Sequence, residues 1–226
     1  MNILAVDTAT GSCSVALLKG RRLIAEEVYT AGKTHSRHLM AIIDQILGRC
    51  ESSPVDLDGI AVTRGPGTFT GLRIGLSTVK GLAAAIAKPV AGVSSLAALA
   101  WPLAWTRKPV IAMIDARRGE IYHARFGGSD GSEPEGKARV SGPEEAVEKL
   151  PEGAILVGSG AVLYREVWET RRPDVCLAPE TDHVIRAASV GMLAMDRFEK
   201  RTADSVDSLV PEYIRKSDAQ IHRASC

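Results

Sequence analysis

The chain of 226 residues lacks several features that would announce a chemistry. Its four cysteines, Cys13, Cys50, Cys176 and Cys226, are scattered, and no CxxC pair offers a zinc or redox centre. Reduced thiols in a cytosolic protein are the simpler account of them. Charge of neither sign is in excess: 28 basic and 27 acidic residues leave +1, so long-range attraction to nucleic acid is missing. A stand-alone RNA binder is therefore disfavoured, although RNA held mainly by a partner is not excluded. The most apolar stretch, residues 89–105, is short for a membrane span and is broken by Ser94, Ser95 and Pro102. The opening residues carry no basic n-region and meet a charge at Asp7, which reads as a strand and not as a signal peptide. A P-loop and a nucleophile elbow are both absent, and no Ser/His/Asp set is recognisable. His35 and His38 would make half a metal site, but no second ligand cluster follows, so capping or packing is the simpler role.

What is present is an α/β pattern with enough apolar content, 45% against 24% charged, to bury a substantial core. Its length fits one large domain or two small ones. Residues 2–7, 12–19 and 21–29 read as strands joined by small-residue turns. After the break at Ala31-Gly32-Lys33, Leu39, Ile42, Ile43, Ile46 and Leu47 recur at helical spacing, with Thr34 or Ser36 as N-cap. Residues 59–63 form a buried strand, a glycine-rich turn follows, and a helix runs over about 72–87 until Pro89 stops it. Residues 90–93 are another buried strand, and Ser94 or Ser95 caps an Ala/Leu helix limited by Pro102. The pattern restarts after Pro109: 110–115 is a strand ending in Asp, and 120–126 is its return. This layout suggests an internal duplication. Beyond it the sequence predicts a surface loop over 127–136, a strand at 155–157, a turn at 158–160 and helices over 162–168 and 183–198. The end, 216–226, is predicted to fray. Its basic residues Arg215, Lys216, His222 and Arg223 read as a solvated end, with contact to RNA phosphates a weaker alternative.

Two places draw attention as sites. Asp7 ends an apolar strand before Thr8, Ala9 and Thr10; strand C-termini favour ligands, but such a carboxylate more often caps a turn. In actin- and hexokinase-like ATPases an Asp here approaches metal and phosphate within Asp-x-Gly-Thr. Ala9 puts a Cβ where that glycine would let phosphate close in. The other place is Gly65-Pro66-Gly67 with Thr68 or Thr70 as cap of the next helix; its free amides and Arg73 would suit an anion, yet a structural turn explains most of the composition. The helix carries Gly71, Gly75 and Gly81, each costing about 1 kcal/mol against alanine. Close approach of another helix to the face of Gly71, Gly75 and Val79, beside Leu72 and Leu76, would compensate, whether that helix is internal or a partner's.

Three segments carry a resemblance. They are Ile3-Leu4-Ala5-Val6-Asp7-Thr8-Ala9-Thr10 with Cys13-Ser14-Val15-Ala16-Leu17; Arg64-Gly65-Pro66-Gly67-Thr68-Phe69-Thr70-Gly71-Leu72-Arg73-Ile74-Gly75; and Ile114-Asp115-Ala116-Arg117-Arg118-Gly119-Glu120-Ile121-Tyr122. Together they resemble the bacterial TsaB (YeaZ) family, and Pro211-Glu212-Tyr213-Ile214-Arg215 resembles its C-terminal motif. The resemblance implies an ASKHA (actin/hexokinase-like) fold with two related lobes and mixed central sheets, here 1–106 and 107–226. It implies a cytoplasmic, non-catalytic subunit that activates a TsaD-like transferase in making threonylcarbamoyladenosine beside the anticodon of tRNAs reading codons that start with A. TsaE-like ATPase and TsaC-like synthase complete the pathway, tRNA is met only through the complex, and the chain alone forms a homodimer. No cofactor is required by this chain; ATP and a metal belong to partner subunits. The His-x-x-x-His metal pair of the transferase is replaced by Ser95 and Leu99. The partner interface implied is His35, Leu39, Ile42, Ile43 and Ile46 on one helix with Gly71, Leu72, Gly75, Leu76 and Val79 on the next. Asp7, Thr8, Thr10 and Asp115 would lie near any nucleotide. The alternatives are an active ASKHA ATPase or phosphotransferase using Asp7 and Asp115, or, with no nucleophile set to support it, a peptidase.

Overall fold

Ten strands and seven α-helices are assigned over residues 1–30, 35–127 and 134–214, which the computed structural model describes, the side chains of 35–37 excepted. The Ala31-Gly32-Lys33 break, the caps proposed at Thr34 and Ser36, the side chain of His35, part of the 127–136 loop and the basic tail from Arg215 lie outside the described residues. The first half runs β1 (Asn2–Asp7), β2 (Cys13–Lys19), β3 (Arg22–Tyr29), α1 (His35–Arg49), β4 (Gly59–Gly65), α2 (Phe69–Ile86), β5 (Val90–Ser94) and α3 (Ser95–Ala100). The second runs β6 (Val110–Arg117), β7 (Glu120–Phe126), β8 (Arg139–Ser141), α4 (Pro143–Val147), β9 (Ile155–Val157), α5 (Ser159–Leu163), α6 (Arg165–Arg171), β10 (Cys176–Leu177) and α7 (Ala187–Glu199).

The strands form two five-stranded sheets of orders β3-β2-β1-β4-β5 and β8-β7-β6-β9-β10. Each has an antiparallel hairpin and third strand on one side, and two parallel strands on the other. The two halves thus share one topology. β1 is apolar on both faces because both are covered. On its outer side Leu4 and Val6 pack with Val15 and Leu17 beneath α1 and α2. On its inner side Ile3 and Ala5 join Val110, Ala112 and Ile114 of the second sheet, together with α3 and α7, in one core cluster.

That inner layer is built by exchange. α3 leaves the first sheet and packs on β6 and β7, while α7 leaves the second and packs on β1, β2 and β4. A boundary at 106/107 therefore divides the sheets but not the core. Glu26 of β3 fixes α7 from the other half: its carboxylate accepts from the Ala188 amide at 2.9 Å and from the Arg186 guanidinium. An acidic group at a helix N-terminus meets the helix dipole and an otherwise unpaired amide together.

Several short elements differ from the sequence reading. A helix predicted over 162–168 is two pieces, α5 and α6, and the first begins at Ser159 inside the predicted turn, with Gly158 at φ +107° before it. The helix predicted from 183 starts at Ala187, because a 3-10 turn occupies Glu180–Asp182. α2 begins at Phe69, with the Thr68 side chain accepting from the Gly71 amide at 3.2 Å, and ends where Ala87 turns left-handed. Ser94 is the cap of α3. Among the described residues no helix is long and apolar enough to cross a membrane.

Candidate functional site

Asp7 ends β1 with its side chain wholly inside the protein. Its Oδ1 accepts from Thr63 Oγ1 at 2.7 Å and from the Ala9 amide at 3.1 Å, while Oδ2 has no partner. Burial pushes its pKa up to about 7, against the lowering pull of those two hydrogen bonds.

The turn after Asp7 is closed from above by the glycine segment. Thr8 Oγ1 donates to the Gly71 carbonyl at 2.7 Å, and the Thr68 amide donates to the Ala9 carbonyl at 2.7 Å. A Cβ on Gly71 would strike the Thr8 carbonyl, and one on Gly75 would strike Thr8 Oγ1. Gly67 lies as closely over Ala9. Thr8 is buried, and Thr10, half-buried, shares a hydrogen bond with Ser12 at 2.9 Å. The glycines thus let α2 sit directly on the β1–β2 turn.

The face carrying Gly71, Leu72, Gly75, Leu76 and Val79 is buried within this chain. Leu39, Ile42, Ile43 and Ile46 are likewise buried under α1 against the first sheet. An amphipathic helix covering its own sheet has this apolar stripe, so the stripe alone could not separate core from interface. The surfaces left open on the adjacent helices are different: Met40, 52% exposed, with Ala41, Asp44 and Gln45 on α1, and Arg73, Ser77, Gly81 and Ala84 on α2. A Cβ on Gly81 would meet only open space. His38 is exposed and stacks on Tyr29 with ring centroids 6.4 Å apart.

Asp115, in the equivalent strand β6, turns to its own hairpin. Its carboxylate accepts from the Arg117 amide at 2.8 Å and pairs with the Arg117 guanidinium at 3.2 Å. Asp7 is bonded to β4, so neither aspartate is committed to the other. Ser95 and Leu99 are both buried in α3; Leu99 offers no lone pair, and its side chain lies against Gly158. The pair does not make a metal site. Among the described residues no three His, Cys, Asp or Glu side chains converge as metal ligands. Cys13 is no nucleophile, since burial, with the charges of Asp7 and Glu27, pushes its thiol up to about 12.

Two sets of contacts could not be read from the sequence. His183 Nδ1 accepts from the Gly158 amide at 3.0 Å, so Nε2 bears the proton, buried without a partner like Ser95 Oγ. The C-terminal Pro211-Glu212-Tyr213 segment returns to the glycine turn: the Glu212 amide donates to the Arg64 carbonyl at 2.7 Å, Tyr213 stacks on Phe69 at 5.7 Å, and Arg73 covers the Phe69 ring at 3.8 Å.

Two sheets of one order, each crossed by the other half's last helix, define an ASKHA (actin/hexokinase-like) protein. At the level of fold alone it matches the activator of the 2-hydroxyisocaproyl-CoA dehydratase from Clostridium difficile with bound ADPNP: TM-score 0.56, 9% identity, 89% of this chain and 97% of that one. The family model described as TsaD: tRNA N6-adenosine threonylcarbamoyltransferase matches residues 28–150. The tRNA threonylcarbamoyladenosine biosynthesis protein TsaB of Escherichia coli (strain K12) is 31% identical over 97% of this chain and 96% of its own. YeaZ from Pseudomonas aeruginosa superposes with a TM-score of 0.82 at 29% identity, covering 94% of this chain and 99% of that one. This chain belongs to the TsaB (YeaZ) family.

Proposed function

We propose that this chain acts in threonylcarbamoyladenosine formation on tRNA as a non-catalytic subunit that binds and activates a TsaD-like transferase. The observation that carries this reading is the closed turn at Asp7. Thr8 and Ala9 are packed beneath Gly67, Gly71 and Gly75, and Asp7 is buried with its pKa raised to about 7, which supports a turn serving as structure within the ASKHA frame. The open faces of α1 and α2 serve as the partner surface, their small side chains at Ala41, Ser77, Gly81 and Ala84 permitting close helix approach. Alone, the chain pairs with itself through the same helices. ATP and metal are handled by partner subunits, including a TsaE-like ATPase, and a TsaC-like synthase supplies the activated group.

Co-purification with the TsaD-like protein of the same organism tests this. Co-elution is expected, with tRNA modification dependent on both chains. A Ser77→Arg/Gly81→Arg variant should weaken association at least tenfold while circular dichroism stays unchanged, about 1.4 kcal/mol or more lost at the interface alone. Independent elution with modification persisting in the absence of this chain would sink the reading. Mg-ATP turnover by the isolated chain would replace it with an active ATPase.

A further inference from the structure

β2 and β7 hold equivalent places beside the first strand of each sheet. On its outer face β2 presents Val15 and Leu17, opposite Val6 and Leu4, and α1 covers them. β7 presents His123 and Arg125 at the matching positions, opposite Met113 and Ile111. The covering helix here, α4, has 5 residues against 15 in α1, and it leans on α6. A cavity of about 190 Å³ remains between β7, β8 and α4, floored by Ile111, Ala146 and Leu150. The polar residues of β7 stand where the helical cover is short.

Its rim is basic: Arg125, Lys137, Arg139 and Lys149. Arg125 is matched by Glu135 at 2.8 Å, and Lys149 by Glu145 at 2.6 Å. Among the described residues no carboxylate stands within ion-pair distance of Lys137 or Arg139. His123, with Nε2 3.0 Å from Ser141 Oγ, is held below the usual histidine range by burial and then by Arg139. It is therefore a neutral hydrogen-bonding group at physiological pH. Lys137 and Arg139, beside Arg125 and Lys149 that Glu135 and Glu145 already match, leave a local excess of positive charge at one apolar-floored concavity in a chain whose net charge is +1.

We propose that this groove binds a phosphate group of an RNA strand. Lys137 and Arg139 neutralise the phosphate, and the apolar floor supports the adjoining sugar. A groove open along the outer face of a sheet suits a polymer running past it. The inference rests on the reading that the chain serves tRNA modification, which supplies that polymer. Such contacts set position and orientation without reading sequence.

The test uses the complex of this chain with its TsaD-like partner and unmodified tRNA, followed by fluorescence anisotropy across a salt series. In a Lys137→Ala/Arg139→Ala variant, tRNA binding should weaken about tenfold, and the slope of log K against log salt should become shallower by about 1, as one phosphate contact is lost. Co-elution with the partner and melting temperature should stay as in wild type. Unchanged affinity and slope would overturn the proposal, as would a wild-type complex without tRNA affinity. Loss of adenosine monophosphate binding with tRNA binding intact would overturn the RNA assignment in favour of a small phosphorylated ligand. Failure to co-elute counts against the partner reading instead. RNA binding by the isolated chain at low salt, compared between wild type and variant, then decides the groove.

Discussion

The two halves share a strand order and differ in what covers it. In the first, α1 and α2 lie along the sheet, the hairpin turn at Thr8 is clamped beneath Gly71 and Gly75, and the outer faces of the helices stay small and open. In the second, α4, α5 and α6 have 5, 5 and 7 residues, the hairpin turn at Asp115 is held by its own Arg117, and a basic groove is left beside β7. One frame thus yields a helix-faced lobe, proposed above as the protein-binding side, and a groove-bearing lobe, proposed above as the anion-binding side. Cover, not topology, makes the difference.

The largest effect should come from breaking the clamp of the first half. Gly75→Leu puts a side chain where Thr8 Oγ1 lies, at a cost on the order of 4 kcal/mol or more, read as collapse of the urea midpoint. A variant as stable as wild type would mean that the turn is not held by α2. Next comes Asp7. Its folded pKa of about 7 lies above the ordinary value of 3.8, so the native state holds a proton the unfolded chain releases. That contribution is complete below about pH 4 and is lost as pH rises through about 7, on the order of a few kcal/mol. Asp7→Asn should flatten stability over this window, as Asn Oδ1 can accept the Thr63 and Ala9 bonds; a slope unchanged from wild type would refute the assignment. Smaller still is the tie between halves. Glu26→Ala removes the acceptor for Ala188 and Arg186 and should cost about 2 kcal/mol, less than a fully buried pair because Arg186 is half-exposed. Thermal unfolding should then separate into the two halves or move down as one, and no shift would show α7 to be held without it.

Much of this fold could be read along the chain. Leu39, Ile42, Ile43 and Ile46 announce α1 by their spacing, and the apolar runs ending at Asp7 and Asp115 announce β1 and β6. β8, α4 and β10, with 3, 5 and 2 residues, were missed because a period needs more length to register. The place of the glycine turn was legible in the sequence, and the neighbour its helix faces was not. Gly71 and Gly75 do mark a close approach, but the approaching group is Thr8, 63 residues earlier than Gly71 in sequence. No local pattern distinguishes that neighbour from a partner's helix.

By itself the sequence determined where the longer strands and helices run, that a threonine of the glycine turn caps α2, and the family to which the whole belongs, since these rest on periodicity, turn chemistry and local motifs. Only the tertiary structure decided what Gly71 and Gly75 face, that Asp7 is sealed, that α3 and α7 change sides, and that His123, Arg125, Lys137 and Arg139 meet around one groove. Those outcomes depend on which surfaces cover one another across long stretches of chain, and burial, which sets both contact and charge state, exists only after that covering is complete.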